Sequence, residues 1–228
     1  MKKNKMMRLA SGLLVAVLIT TSTISGTFAK YTTADTATDS ARVAKWGVTV
    51  TATDTMFAEA YGDEVVSSET GVKVVAPGTD GNLAKFDVEG KTEVAVEVLY
   101  DADLTLKNWE VDGAYYCPLI ITVNGTKFDG ANYGSSTDFE EAVEAKIEAA
   151  AKEYAPNVDL KDVDNDLAVS WEWPFEVGAD ADEKAANNAN DTKLGRAAEA
   201  ATIADEEITV KLNVDCIINQ LEVYPTTP

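Results

Sequence analysis

The chain has 228 residues, 39 of them acidic and 19 basic, giving a formal charge of −20, and it contains no histidine. Such an acidic excess repels phosphate backbones and anionic lipid surfaces, which are held by clusters of Lys and Arg, so nucleic-acid and membrane-surface roles are not expected. The missing histidine removes Ser-His-Asp and Cys-His catalysis and every His-containing zinc motif together.

In chain order, the first predicted element is a leader. Lys2, Lys3, Lys5 and Arg8 precede an apolar stretch from Leu9 to Thr20. Thr27 and Ala29 stand at the −3 and −1 positions of a cleavage site before Lys30. This is the order of a secretory signal peptide, residues 1–29. The apolar run is much shorter than the ~20 residues a spanning helix needs, and the following TTSTISGT is polar. Cleavage removes four of the 19 basic residues and leaves 15 against 39 acidic, a charge near −24 on 199 residues. A chain of that size suits one domain with its own core.

Period-two alternation then recurs. Trp46-Val48-Val50-Ala52 reads as a half-buried strand. Val72 to Val75, Ala84 to Val88, Val94 to Tyr100, Cys117 to Val123, Val169 to Phe175 and Ile208 to Cys216 follow as further strands. Between them lie turn sequences: Pro77 to Gly81, Glu89-Gly90-Lys91, and Asn124-Gly125, a two-residue hairpin signal. Seven or eight short strands punctuated in this way predict a mainly β fold, an antiparallel β-sandwich or jelly roll over residues 43–228.

Two helices interrupt the strands. Thr137 to Glu140 reads as a capping box, and Phe139, Val143, Ile147, Ala150 and Tyr154 share one helical face until Pro156. This predicts an inserted amphipathic helix at about 137–155. A short second helix is expected after Asp191, read as its N-cap, with Lys184 to Asn190 as an exposed loop.

Candidate sites are few. Cys117 and Cys216 share the parity of the apolar residues around them, so both point inward. Export permits a disulfide worth up to ~4.7 kcal/mol, and two buried thiols fit the same pattern. Asp162, Asp164 and Asp166 are spaced like the start of a calcium loop, but Leu167 and Trp173 stand where such a loop needs Gly and Glu. Calcium is the one cofactor these residues suggest, with Asp180, Asp182 and Glu183 as a second acidic cluster; a solvated loop is the plainer reading. Trp171 and Trp173 alternate on one strand, as core or as an exposed sugar-stacking face, and the core reading is preferred.

Three blocks carry a family resemblance: TFAKYTT…DSARVAKWGVTVTAT (27–53), APGTDGNLAKFDVEGKTEVAVEVLYDADL with NWEV and YCPLIITVNG (76–125), and WEWPFE…DTKLGRAA…ITVKLNV (171–214). Together they resemble the TasA/camelysin group of exported Firmicutes proteins, processed by a SipW-type signal peptidase. The resemblance implies a jelly-roll domain and, for the TasA branch, a biofilm-matrix protein that forms extracellular fibres.

In such fibres the mature N-terminal segment of one subunit is donated as a strand to the next. Here residues 30–42 take that place, with Tyr31, Thr32, Thr33, Thr36 and Thr38 as the assembly strand. The segment from Lys30 to Ala41 has β-compatible residues and no Pro or Gly. Head-to-tail donation propagates as a filament when it does not close. The expected partners are further copies of the chain and other matrix proteins, at the surface or in the matrix of a Gram-positive cell. The chain ends in YPTTP without a sorting motif, so no stable anchor is expected after cleavage. The camelysin branch implies a metalloendopeptidase instead, but the chain has no HExxH and no histidine ligand, so an enzyme is not expected. A monomeric adhesion or ligand-binding sandwich is the third reading.

Overall fold

Alternating apolar residues build two antiparallel sheets that share one core. The computed structural model describes residues 42–53, 57–163 and 167–224. All elements below belong to the unit that begins at Val43. The strands are β1 (Trp46–Thr53), β2 (Ala60–Tyr61), β3 (Val65–Val66), β4 (Thr79–Thr92), β5 (Val96–Lys107), β6 (Glu110–Val111), β7 (Ala114–Tyr115), β8 (Ile120–Val123), β9 (Thr126–Asp129), β10 (Lys152–Tyr154), β11 (Leu167–Trp173) and β12 (Thr209–Gln220). The helices are α1 (Ser136–Glu148) and α2 (Ala181–Ala200), with 3₁₀ turns at Gly130–Asn132 and Leu160–Asp162.

Among the described residues, one sheet has the order β1-β4-β11-β8-β9 and the other β10-β5-β12; β2-β3 and β6-β7 are short ribbons. Successive strands β4 and β5 lie in different sheets, so the chain crosses the core between them. Phe86 of β4 meets Tyr100 of β5 with ring centroids 5.8 Å apart, and Trp109 meets Trp173 at 5.6 Å. Phe139, Val143 and Ile147 of α1 close the same apolar cluster. The fold is thus mainly β, as the alternation predicts, with the helices added to a two-sheet core.

Local details differ from the sequence reading. Val72 to Val75 forms no strand, only a bridge between Ala58 and Val74. Glu89-Gly90-Lys91 is no turn: β4 runs through it for 14 residues, because β1 pairs along this stretch from Trp46↔Thr92 to Thr53↔Lys85. Asn124-Gly125 does form the β8–β9 hairpin, with φ of 45° and 79°, the left-handed pair that a tight turn needs.

The first helix starts and stops earlier than expected. Its N-cap is Ser135, whose Oγ accepts from Asp138 N at 3.2 Å and donates to Asp138 Oδ2 at 2.8 Å. It ends at Glu148 because Lys152–Tyr154 find a better partner in β5, and Tyr154 is buried there. The second helix is not short, and neither the N-cap at Asp191 nor the exposed loop at Lys184 to Asn190 exists. α2 is capped by Asp180, whose carboxylate accepts from Asp182 N and Glu183 N, and runs 20 residues from Ala181 to Ala200. Only Asp191 and Leu194 of it are buried, so apolar periodicity gave no signal for its first half.

Candidate functional site: an open sheet edge

In an antiparallel pair, alternate residues turn their N–H and C=O toward the partner and the rest turn them away. For β12 the choice is fixed by two observations. Leu221 N continues the ladder by donating to Ala95 O at 2.9 Å, so odd-numbered residues of β12 face β5. On β5, Leu104 N and Leu106 N point away to side chains of α1, and their register partners are Leu212 and Val210. Val210, Leu212, Val214, Cys216 and Ile218 therefore present their main-chain groups to the outer edge. Among the described residues, no strand pairs with that edge.

The opposing sheet also has a partly uncovered end among the described residues. β1 is the end strand of the five-stranded sheet. Its Val50 and Ala52 pair with the buried Val88 and Phe86, so Trp46, Val48, Val50 and Ala52 point to the inner face. Even so, Trp46 is 47% and Val50 38% exposed. β12 touches β4, the neighbour of β1, across the core. An added strand at β12 would meet the outward main-chain groups of Val210, Leu212, Val214, Cys216 and Ile218.

A second constellation lies under α2. Tyr116 Oη donates to Asp191 Oδ1 at 2.6 Å and accepts from Asn187 Nδ2 at 2.9 Å. Trp173 stands close enough to help the Asp191 charge, yet Trp173 Nε1 and Asp191 Oδ2 are buried with no partner at hydrogen-bond distance. Burial raises the Asp191 pKa above its ordinary 3.8, against the lowering by Tyr116 and Trp173. Burial also raises Tyr116, reinforced by the Asp191 charge. Pro77, Phe175, Asn188, Asp191 and Thr192 line an open cleft of about 290 Å³. The buried Oδ2 and the bonded Oδ1 are turned into the protein, so this carboxylate serves to dock α2.

Of the residues read as sites, Thr27, Ala29, Lys30, Tyr31, Thr32, Thr33, Thr36 and Thr38 lie outside the described residues, as do Asp164 and Asp166. Asp162 closes the 3₁₀ turn that Asp159 caps through Lys161 N. Among the described residues, no group of three His, Cys, Asp or Glu side chains is placed to hold a metal ion. Asp180, Asp182 and Glu183 are the N-cap and first turn of α2, which explains their clustering by the helix dipole.

The bridge between Cys117 and Cys216 is not formed, and both are free thiols. Cys117 is buried, and burial pushes its thiol up to about 12. Cys216 is half-buried on β12 opposite Tyr100, so parity placed it rightly on the inner face while the open edge leaves it partly uncovered. Trp171 and Trp173 are core: Trp171 packs at a tilt against Phe57 at 5.1 Å and edge-on against Tyr61 at 5.8 Å, which removes the exposed sugar-stacking face. Sequence reasoning missed the open edge, whose signal is a long alternating strand without Pro, and the carboxylates of α1 described below. No protein-family model, curated protein or solved structure matches the chain.

Proposed function

We propose that the chain is a secreted, non-catalytic structural protein of the cell surface or extracellular matrix that forms or decorates fibres by strand donation. Residues 30–42 of one copy add to the β12 edge of the next. The observation that carries this reading is the outer edge of β12, with which no strand among the described residues pairs. It is supported by the resemblance to the TasA/camelysin group and by the composition of the segment, which can pair but has too little apolar surface to fold alone. A strand at this edge gains main-chain bonds of about 1 kcal/mol each and removes apolar area from water.

Two variants separate donor from acceptor. Deleting Lys30 to Ser40 removes the donor. Val214→Pro removes an outward N–H from the edge and leaves the β5 ladder intact, since proline is tolerated on edge strands. Electron microscopy is expected to show filaments for the secreted wild type and none for either variant, while circular dichroism shows both folded. Mixed together, the variants should give one-to-one dimers by light scattering. Filaments from either folded variant alone would refute the reading.

A further inference from the structure

The opposite edge of the three-stranded sheet is closed by an arrangement that is only partly a strand. Even-numbered residues of β5 turn their main-chain groups away from β12. Val96 and Val98 meet β10. Farther along, Leu104 N donates to Glu144 Oε1 at 2.7 Å and Leu106 N to Glu140 Oε1 at 2.5 Å.

The fit between helix and strand is metrical. Residues four apart on a helix are separated by about 6 Å along its axis, and residues two apart on a strand by about 6.7 Å. Glu140 and Glu144 therefore set two acceptors at nearly the spacing of the carbonyls in a neighbouring strand. Phe139, Val143 and Ile147, on the buried side of the same helix, hold α1 in register against the core. After Glu148 the chain unwinds and enters β10, antiparallel to β5. Residues 136–154 thus flank this edge in two modes. The main chain does the pairing at β10, and side chains do it at α1.

This closure is one-sided. Carboxylates accept but do not donate, so Glu140 and Glu144 satisfy the Leu104 and Leu106 N–H groups and supply nothing to the carbonyls of β5. A true strand would supply both, and strand addition through the main chain tolerates many sequences. A segment able to add to β12 is therefore able to add to the other edge of the same sheet unless that edge is blocked.

We propose that α1 is a strand surrogate that closes β5 against a second copy of this chain, with Glu140 and Glu144 as its determinants. Without their carboxylates, the stretch around Leu104 and Leu106 becomes a second acceptor for residues 30–42 of another copy. The choice of occupant rests on the strand-donation reading. The consequence is valence: with one donor and one acceptor, copies form an unbranched chain, whereas a second acceptor gives branches.

The test uses the secreted full chain in three double variants. Glu140→Ala/Glu144→Ala removes the acceptors. Glu140→Gln/Glu144→Gln keeps an acceptor oxygen at each position. Glu141→Ala/Glu148→Ala removes the same charge from exposed positions of the same helix. Amide exchange at Leu104 and Leu106 is expected to accelerate on the order of tenfold or more in the first variant only. Each alanine variant is then combined with Val214→Pro, which blocks β12. The Glu140/Glu144 combination should associate and the Glu141/Glu148 combination should stay monomeric by sedimentation. Wild-type exchange at Leu104 and Leu106, or a folded Glu140/Glu144 combination that remains monomeric, overturns the proposal.

If the double alanine variant fails to fold, Glu140→Ala and Glu144→Ala are measured singly, each expected to release its own amide; unchanged exchange in both overturns the proposal. Failure of strand donation itself reads differently: Val214→Pro alone then assembles like wild type, and the exchange result decides the role of the two glutamates.

Discussion

Gly90→Ala tests how β1 is held. Gly90 lies mid-strand in β4 with φ of +119°, a conformation that side-chain-bearing residues rarely adopt, and it pairs with Val48. A Cβ built there falls 1.9 Å from Gly47 O, 2.9 Å from Gly47 C and 3.0 Å from Val48 Cα. All three contacts are main chain, so no rotamer change relieves them. β1 must move away by roughly 1 Å or more, which breaks the ladder at Gly47↔Lys91 and Thr49↔Glu89. These two pairs hold up to four bonds at about 1 kcal/mol each, and the backbone strain adds about 1–3 kcal/mol. The loss is capped by whatever docks β1, and that is small because Val48 is the one half-buried side chain of its exposed inner row. The expected outcome is local: amides of Gly47, Thr49 and Thr51 lose exchange protection, while those of the β5–β12 ladder keep theirs. Native-state hydrogen exchange by NMR measures both sets at once. Wild-type protection in β1 would refute the close-approach reasoning, and global unfolding would refute the claim that β1 docks separately.

Asp191→Asn is expected to remove a pH dependence. The folded pKa is raised above 3.8, so between these values the folded state binds more protons than the unfolded, and stability falls as pH rises from about 3.8 through the folded value. Urea midpoints measured across this window should slope down for wild type and stay flatter for the variant, which still accepts from Tyr116 at its amide oxygen and is the more stable at pH 7. For the cysteines, non-reducing mass spectrometry should count two thiols. Iodoacetamide at neutral pH should spare Cys117 in the native protein, label Cys216 slowly, and label both after denaturation.

The sheets were legible because burial on one face writes alternation into the sequence, as in Leu167-Val169-Trp171-Trp173 and in β12. What escaped has identifiable causes. Gly90 reads as a turn residue, and only a partner strand reveals that it permits close approach. α2 buries two residues in 20, so its helical period carries no apolar signal, and Asp191 resembled a cap because its partly buried partner, Tyr116, lies 75 residues away. Glu140 reads as the end of a capping box, and nothing local records that the main chain of β5 lies beside it and Glu144. The open edge is likewise a property of strand order, set by partners distant in the sequence.

The pairing of β12 with β5 has a mechanical side. The two strands match residue for residue from Thr209↔Lys107 to Gln220↔Val96 without a shift in register. A pull along the strand axis loads this ladder in shear, so its bonds share the force and must fail together. A pull across the strands would open them one pair at a time. A load applied along β12 would therefore meet the stronger of these two geometries, whereas β1, with its small buried area, would be the element that yields first.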